Sequence, residues 1–210
     1  GSAEVDECGE CGGPGTSTCW DGTEVCDATD CPEECTHDGD ANGDGELNVA
    51  DVVLIIAGIL NDGPAGEDFC SNDVNGDGTI NVTDVVIIVQ WILTPARANI
   101  NDANEVDIIL TNNSISIQSN GYVGGVQMTL SHGHDFSINL EDGFISDYVT
   151  KDQLTTLIVV ADGIHSLENI ASINGPCKIE SAIVVNSENQ IEDQSIVELR
   201  KVDLKLTGPN

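Results

Sequence analysis

Two twelve-residue stretches, DANGDGELNVAD at 40–51 and DVNGDGTINVTD at 73–84, put oxygen-bearing side chains at positions 1, 3, 5, 9 and 12 and glycine at position 6. With the main-chain carbonyl at position 7, this is the donor spacing of a twelve-residue calcium loop, in which the glycine makes the sharp turn. The first stretch supplies Asp40, Asn42, Asp44, the Glu46 carbonyl, Asn48 and Asp51, with Gly45 at the turn. The second supplies Asp73, Asn75, Asp77, the Thr79 carbonyl, Asn81 and Asp84, with Gly78. A magnesium site would keep more water and demand tighter geometry, so the expected cofactor is Ca2+, two ions in all. An Asx- and Gly-rich surface turn does not explain six positions matched twice. Leu47 and Ile80, at position 8, fit the short β-contact that pairs two such loops.

Other candidate chemistry is thin. His132 and His134 could contribute to a metal site, but no third ligand is identifiable, and a polar loop is the favoured reading. Carboxylates elsewhere are scattered singly among strand patterns, so no glycosidase pair can be assigned. Sugar binding usually wants aromatic platforms, and the C-terminal half offers only Tyr122, Phe136, Phe144 and Tyr148. No catalytic residue is expected, and the chain is read as not an enzyme.

Cys8, Cys11, Cys19, Cys26, Cys31 and Cys35 crowd a short polar leader too small to form a core. Disulfide staples are the usual solution there and imply an oxidising, extracellular setting. Zinc is the alternative, since Cys8-x-x-Cys11 has ligand spacing, but no second pair follows at zinc-ribbon spacing. Six cysteines allow 15 connectivities, so pairing stays open. Cys70 and Cys177 stand apart, and a bridge between them would tie the middle of the chain to its C-terminal half.

The 210 residues carry 37 acids against 6 bases, a formal charge of −31. A basic nucleic-acid footprint is absent, and polyanions would be repelled. No apolar run reaches the roughly 18 residues of a transmembrane helix. No signal peptide is visible, so the expectation is a cytosolic or already trimmed chain, and the cysteines favour the second.

The loops must be positioned by something. Each runs into an apolar stretch, VVLIIAGIL at 52–60 and VVIIVQWIL at 85–93. Val and Ile are mediocre helix formers, but position 12 of a calcium loop lies on the first turn of the exiting helix, so helices are expected. A helix that is apolar all round is normally buried all round. Its cover must be the C-terminal region, a partner, or both. No amphipathic helix is expected before either loop, because EECTHDG and DFCSND lack helical patterns.

Four segments follow: a stapled leader at 1–36, the duplicated loop-helix module at 37–94, a linker at 95–104, and a region of alternating β-branched runs at 105–210. Runs such as EVDIIL, SISIQ, GGVQMTL, LTTLIVVA and CKIESAIVV, separated by Asn-Gly, Asp-Gly and Gly-Pro turns, predict eight or nine strands in an antiparallel β-sandwich. LENIASI at 167–173 reads equally as helical turn or strand. The fold class is therefore α+β multidomain.

A loop followed by a helix only, twice, with Asp at position 12, resembles the type I dockerin pattern over residues 38–94. By that resemblance the segment is a calcium-dependent plug of secreted bacterial proteins that docks onto cohesin modules. The resemblance implies partner contacts at positions 10, 11, 17 and 18 of each repeat. Here these are Val49, Ala50, Ile56 and Ala57, then Val82, Thr83, Val89 and Gln90. Many such plugs carry Ser-Thr at positions 10 and 11, and this chain departs from that. Residues 105–206, through GYVGGVQMTL and an IVVADG segment, resemble the cohesin-like sandwiches of bacterial surface proteins.

A plug and a socket-like sandwich on one chain imply a calcium-dependent extracellular assembly protein, joining copies head to tail into a filament or surface layer. The scarce positive charge of VELRKVDLKL, near the end, could help such copies pair, although the favoured reading of this segment is the sandwich's own last strand. The alternatives are a monomeric adaptor docking onto a separate cohesin scaffold, or a glycan-binding module tethered by its dockerin.

Overall fold

A computed structural model describes residues 8–9, 15–19, 23–31, 36–61, 69–93, 101–163, 165–187 and 190–199. It forms two compact units, Gly1–Thr36 and His37–Asn210.

The small unit is built by covalent links. Disulfides join Cys8 to Cys26 and Cys19 to Cys31, each with Cα atoms 5.5 Å apart. Between them lie a two-residue pairing of β1 (Ser17–Thr18) with β2 (Glu24–Val25) and a 3-10 turn at Ala28–Asp30. Asp27 starts that turn by accepting the Thr29 N–H at 2.9 Å. Oxidised pairs thus account for Cys8, Cys19, Cys26 and Cys31, which removes the zinc alternative for these four. Cys11 and Cys35 lie outside the described residues.

In the larger unit, α1 spans Val49–Leu60, α2 is the single turn Phe69–Asn72, and α3 spans Val82–Leu93. The turn at α2 corrects the reading of DFCSND as non-helical, but four residues do not make the amphipathic entering helix of an EF-hand. Both long helices start from a loop side chain. Asn48 caps α1 by accepting the Ala50 N–H, while Asp51 reaches back to the Asn48 N–H at 2.8 Å. This reciprocal capping satisfies orphan donors of the first turn and offsets the weak helix propensity of Val and Ile.

The remaining described residues form nine strands: β3 Glu105–Thr111, β4 Ser114–Ser119, β5 Gly125–His132, β6 Ser137–Leu140, β7 Ile145–Lys151, β8 Leu154–Val160, β9 Asn169–Asn174, β10 Cys177–Val185 and β11 Asp193–Leu199. They make two sheets, ordered β10-β5-β8-β7 and β11-β3-β4-β9-β6. LENIASI therefore contributes a strand, β9. The interior between the sheets is filled by aliphatic residues such as Ile108, Ile115, Met128, Leu130, Leu157 and Ile170. One pairing corrects the purely antiparallel expectation: β11 runs parallel to β3, from Asp193 opposite Glu105 to Leu199 opposite Thr111. The described part of the C-terminal run thus pairs within its own chain, and Arg200, Lys201 and Lys205 lie outside the described residues.

Where the helices cover it, the four-stranded sheet is apolar on both faces. Leu157 and Val159 of β8 point into the sandwich, whereas Ile158 and Val160 point outward into a second core with the helices. That second cover explains the unbroken LIVV of β8, since strands buried on both faces lose polar alternation. Cys70 is disulfide-bonded, but Cys177 keeps its thiol, so the bridge expected between them does not form. The Cys70 sulfur is already committed to another disulfide, and Cys177, the first residue of β10, is in none.

Candidate metal centre and helix-docking surface

The two loops repeat the same internal hydrogen bonds. In the first, Asp40 accepts from the N–H of Asp44 at 3.2 Å and of Gly45 at 2.7 Å, Asn42 from Asp44 at 2.8 Å, and Asp44 from Glu46 at 2.8 Å. In the second, Asp73 accepts from Asp77 at 3.1 Å and Gly78 at 2.8 Å, Asn75 from Asp77 at 2.9 Å, and Asp77 from Thr79 at 2.8 Å. Gly45 and Gly78 adopt φ of 83° and 84°, a left-handed conformation that favours glycine. Asp51 and Asp84 close the loops, each accepting from position 3 and from position 9.

This network curls each chain segment around its own oxygens, with position 12 brought back beside position 3. Among the described residues no cluster of three His, Cys, Asp or Glu groups holds a metal by itself. The donor set fits calcium rather than a softer ion because amide and main-chain carbonyl oxygens must complete it. Electrostatics point the same way. Burial pushes the Asp84 carboxyl up to about 6, and the charges of Asp73 and Asp77 add to this, against hydrogen bonds from Asn81 and Asn75. A cation among these carboxylates removes the desolvation and like-charge penalties together.

The loops touch at their starts rather than at position 8. Gly39 donates its N–H to the Ser71 carbonyl at 2.8 Å, Ser71 Oγ donates to Asp38 at 2.5 Å, and His37 Nδ1 meets the Asp73 carbonyl. The β-contact expected of Leu47 and Ile80 is absent from the bridges between described residues; both side chains pack instead against the helix core.

The helices lie on the outer face of the four-stranded sheet, α1 over β7 and β8, α3 over β5, β8 and β10. The α3 seat is shaped by glycine. A methyl group at Gly125 would lie 2.6 Å from Val86 Cγ2 and 2.9 Å from Val82 Cγ2; at Gly124 it would lie 3.1 Å from Val86 Cγ1. Polar contacts fix both ends of the seat. The Val82 N–H donates to Gln127 Oε1 at 3.2 Å, and Gln90 Nε2 donates to the Ser187 carbonyl. Ser187 is itself held by Asp102, its Oγ donating to Oδ2 at 2.6 Å.

The residues expected to meet a partner therefore divide. Val82, Thr83 and Val89 are buried, and Gln90 is engaged with Ser187, so these four do not present an open surface. Ile56 is also buried and Ala57 half-buried, while Val49 and Ala50 are exposed. Beside Val49, Val53 and Leu54 extend an aliphatic stripe that the expected set omits. The seat itself, built from Gly124, Gly125, Gln127, Ile158, Val160, Ile183 and Val185, is a second omission. Its signals in the sequence are the Gly-Gly pair and the unbroken runs LIVV and AIVV. His132 sits elsewhere, stacked on Phe136 with centroids 4.2 Å apart, and Nε2 reaches Thr155 Oγ1 at 2.7 Å.

Paired calcium-type loops with exiting helices are thus joined to a two-layer β-sandwich. Residues 38–93 match the family model of the Dockerin type I domain, a family of calcium-binding modules. Among solved structures, the chain is similar to a non-cellulosomal cohesin from the hyperthermophilic archaeon Archaeoglobus fulgidus, with 11% identity and a TM-score of 0.35. That likeness covers 46% of this chain and 89% of the cohesin. No curated protein matches the chain. No helix among the described residues is long and apolar enough to cross a membrane.

Proposed function

We propose that this chain is a non-catalytic docking subunit of an extracellular assembly, binding two calcium ions through the loops at 40–51 and 73–84. Its joint to a separate protein partner is the start of α1. The observation that carries this reading is the stripe Val49, Val53 and Leu54, exposed on a helix whose first turn is pinned by a metal-type loop. On a surface of formal charge −31 such a patch is out of place unless something covers it. The oxidised cysteine pairs support a secreted setting.

Head-to-tail growth into a filament is the competing arrangement, and α3 argues against it. The apolar outer face that would serve as socket is already covered by the chain's own helices. A separate scaffold meets no such competition.

Two measurements test the reading. Calorimetric titration of metal-stripped protein with CaCl2 should show two ions per chain, and no uptake would remove the calcium assignment. Light scattering should then give a monomer with calcium and with EDTA. Calcium-dependent polymers would instead establish self-assembly.

A further inference from the structure

Resting on that calcium reading, we propose that the two loops are unequal sites. The second takes its ion first and holds it as a latch on the sandwich. The first holds the exchangeable ion, whose departure frays the α1 stripe and leaves the sandwich intact.

The inequality comes from what lies against each helix start. Position 10 of the second loop, Val82, is fully buried against Gly125, and its N–H is held by Gln127 from β5. Thr83 and Asn81 beside it are buried too, as is Asp73 at position 1. The sandwich thus fixes the exiting turn whether or not an ion is present. Ordering that a site does not have to supply on binding appears as affinity. Low exposure also weakens dielectric screening between carboxylates and the cation.

The first loop has less of this support: Asp51 is fully buried and Ser71 donates to the Asp40 carbonyl at 3.4 Å, but no sandwich residue holds its exiting turn. Val49 and Ala50 are exposed, Asn48 and Asp40 are only partly covered, and the turn is held by its own capping box alone. Binding there must order Asn48, Val49 and Ala50 unaided, and losing the ion frees the same residues. Calcium depletion would then disable the docking stripe before it touches the fold.

The test uses the full chain, stripped of metal and titrated with CaCl2. Calorimetry should resolve two steps whose affinities differ by about tenfold or more. Hydrogen exchange at matched calcium levels should show residues 82–86 protected at the first step and 49–53 only at the second. Asp44→Ala should abolish the weak step and leave strands β5, β8 and β10 protected. Gln127→Ala, which alters no metal ligand, should weaken the tight step several-fold without moving the weak one. Equal steps, protection of 49–53 first, or a Gln127→Ala titration matching wild type would each overturn the inequality. Absence of any calcium step would overturn the underlying calcium reading as well, and is distinguishable from all three.

Discussion

The two loop-helix repeats share a twelve-residue code and part company at the helices. Val49 and Val53 are 56% and 54% exposed, whereas their counterparts 33 residues on, Val82 and Val86, are 0% and 2% exposed. The trend reverses at the far ends: Leu60 is buried, but its counterpart Leu93 and nearby Trp91 are exposed. Duplicated sequence has been given unequal work. Both helices cover the sandwich's outer face, but the second copy buries its leading turn there and the first leaves its leading turn open. A repeat therefore conveys the loop faithfully and the surface not at all, because the surface depends on the neighbour.

The largest break in this comparison comes from a matched pair of charges. Val82→Asp would put an unpaired carboxylate against Gly125 and Val160's layer, at a cost of about 4 kcal/mol or more in chemical denaturation. Val49→Asp should stay within about 0.5 kcal/mol in the same experiment, because its site is already wet. Similar costs for the two would mean the repeats are equivalent after all.

Next in size is Gly125→Val. The added side chain collides with Val82 and Val86, and overpacking of this kind costs roughly 1–3 kcal/mol. The loss should show as faster hydrogen exchange in α3 with little change in the inner core around Met128 and Leu157. If the inner core loosens equally, the seat is not a separate layer.

The smallest effect sharpens the comparison. Gln90→Ala removes the bond to Ser187 and should cost about 1 kcal/mol in thermal unfolding, the net worth of an ordinary hydrogen bond. The equivalent first-repeat residue is Ala57, so substituting Ala57→Gln should not return a comparable gain.

How much was legible beforehand follows the same division. The turn of each loop could be read residue by residue, because its left-handed glycine and the Asx side chains that accept within it are written in residue types. The strands were legible from β-branched alternation, with β9 left ambiguous because LENIASI is too short to separate the two periods. Which face of α1 and α3 is covered was not legible, since a helix of almost wholly apolar side chains offers no polar face to orient it by. Nor was the parallel pairing of β11, because period-2 alternation is the same for either direction of the neighbour. The Cys70–Cys177 bridge failed because a count of leftover cysteines carries no distances. The LIVV run did carry a legible sign of two-sided cover.

The pairing of β11 with β3 has a mechanical consequence. Because the strands are parallel over seven residues, the start of β3 at Glu105 and the end of β11 at Leu199 lie at opposite ends of the ladder. Tension applied between those two points loads every rung sideways at once, instead of peeling rungs one after another from a hairpin end. The strain is shared across the whole edge of the sheet. A subunit tethered before β3 and pulled from beyond β11 is thereby arranged to bear load along its length.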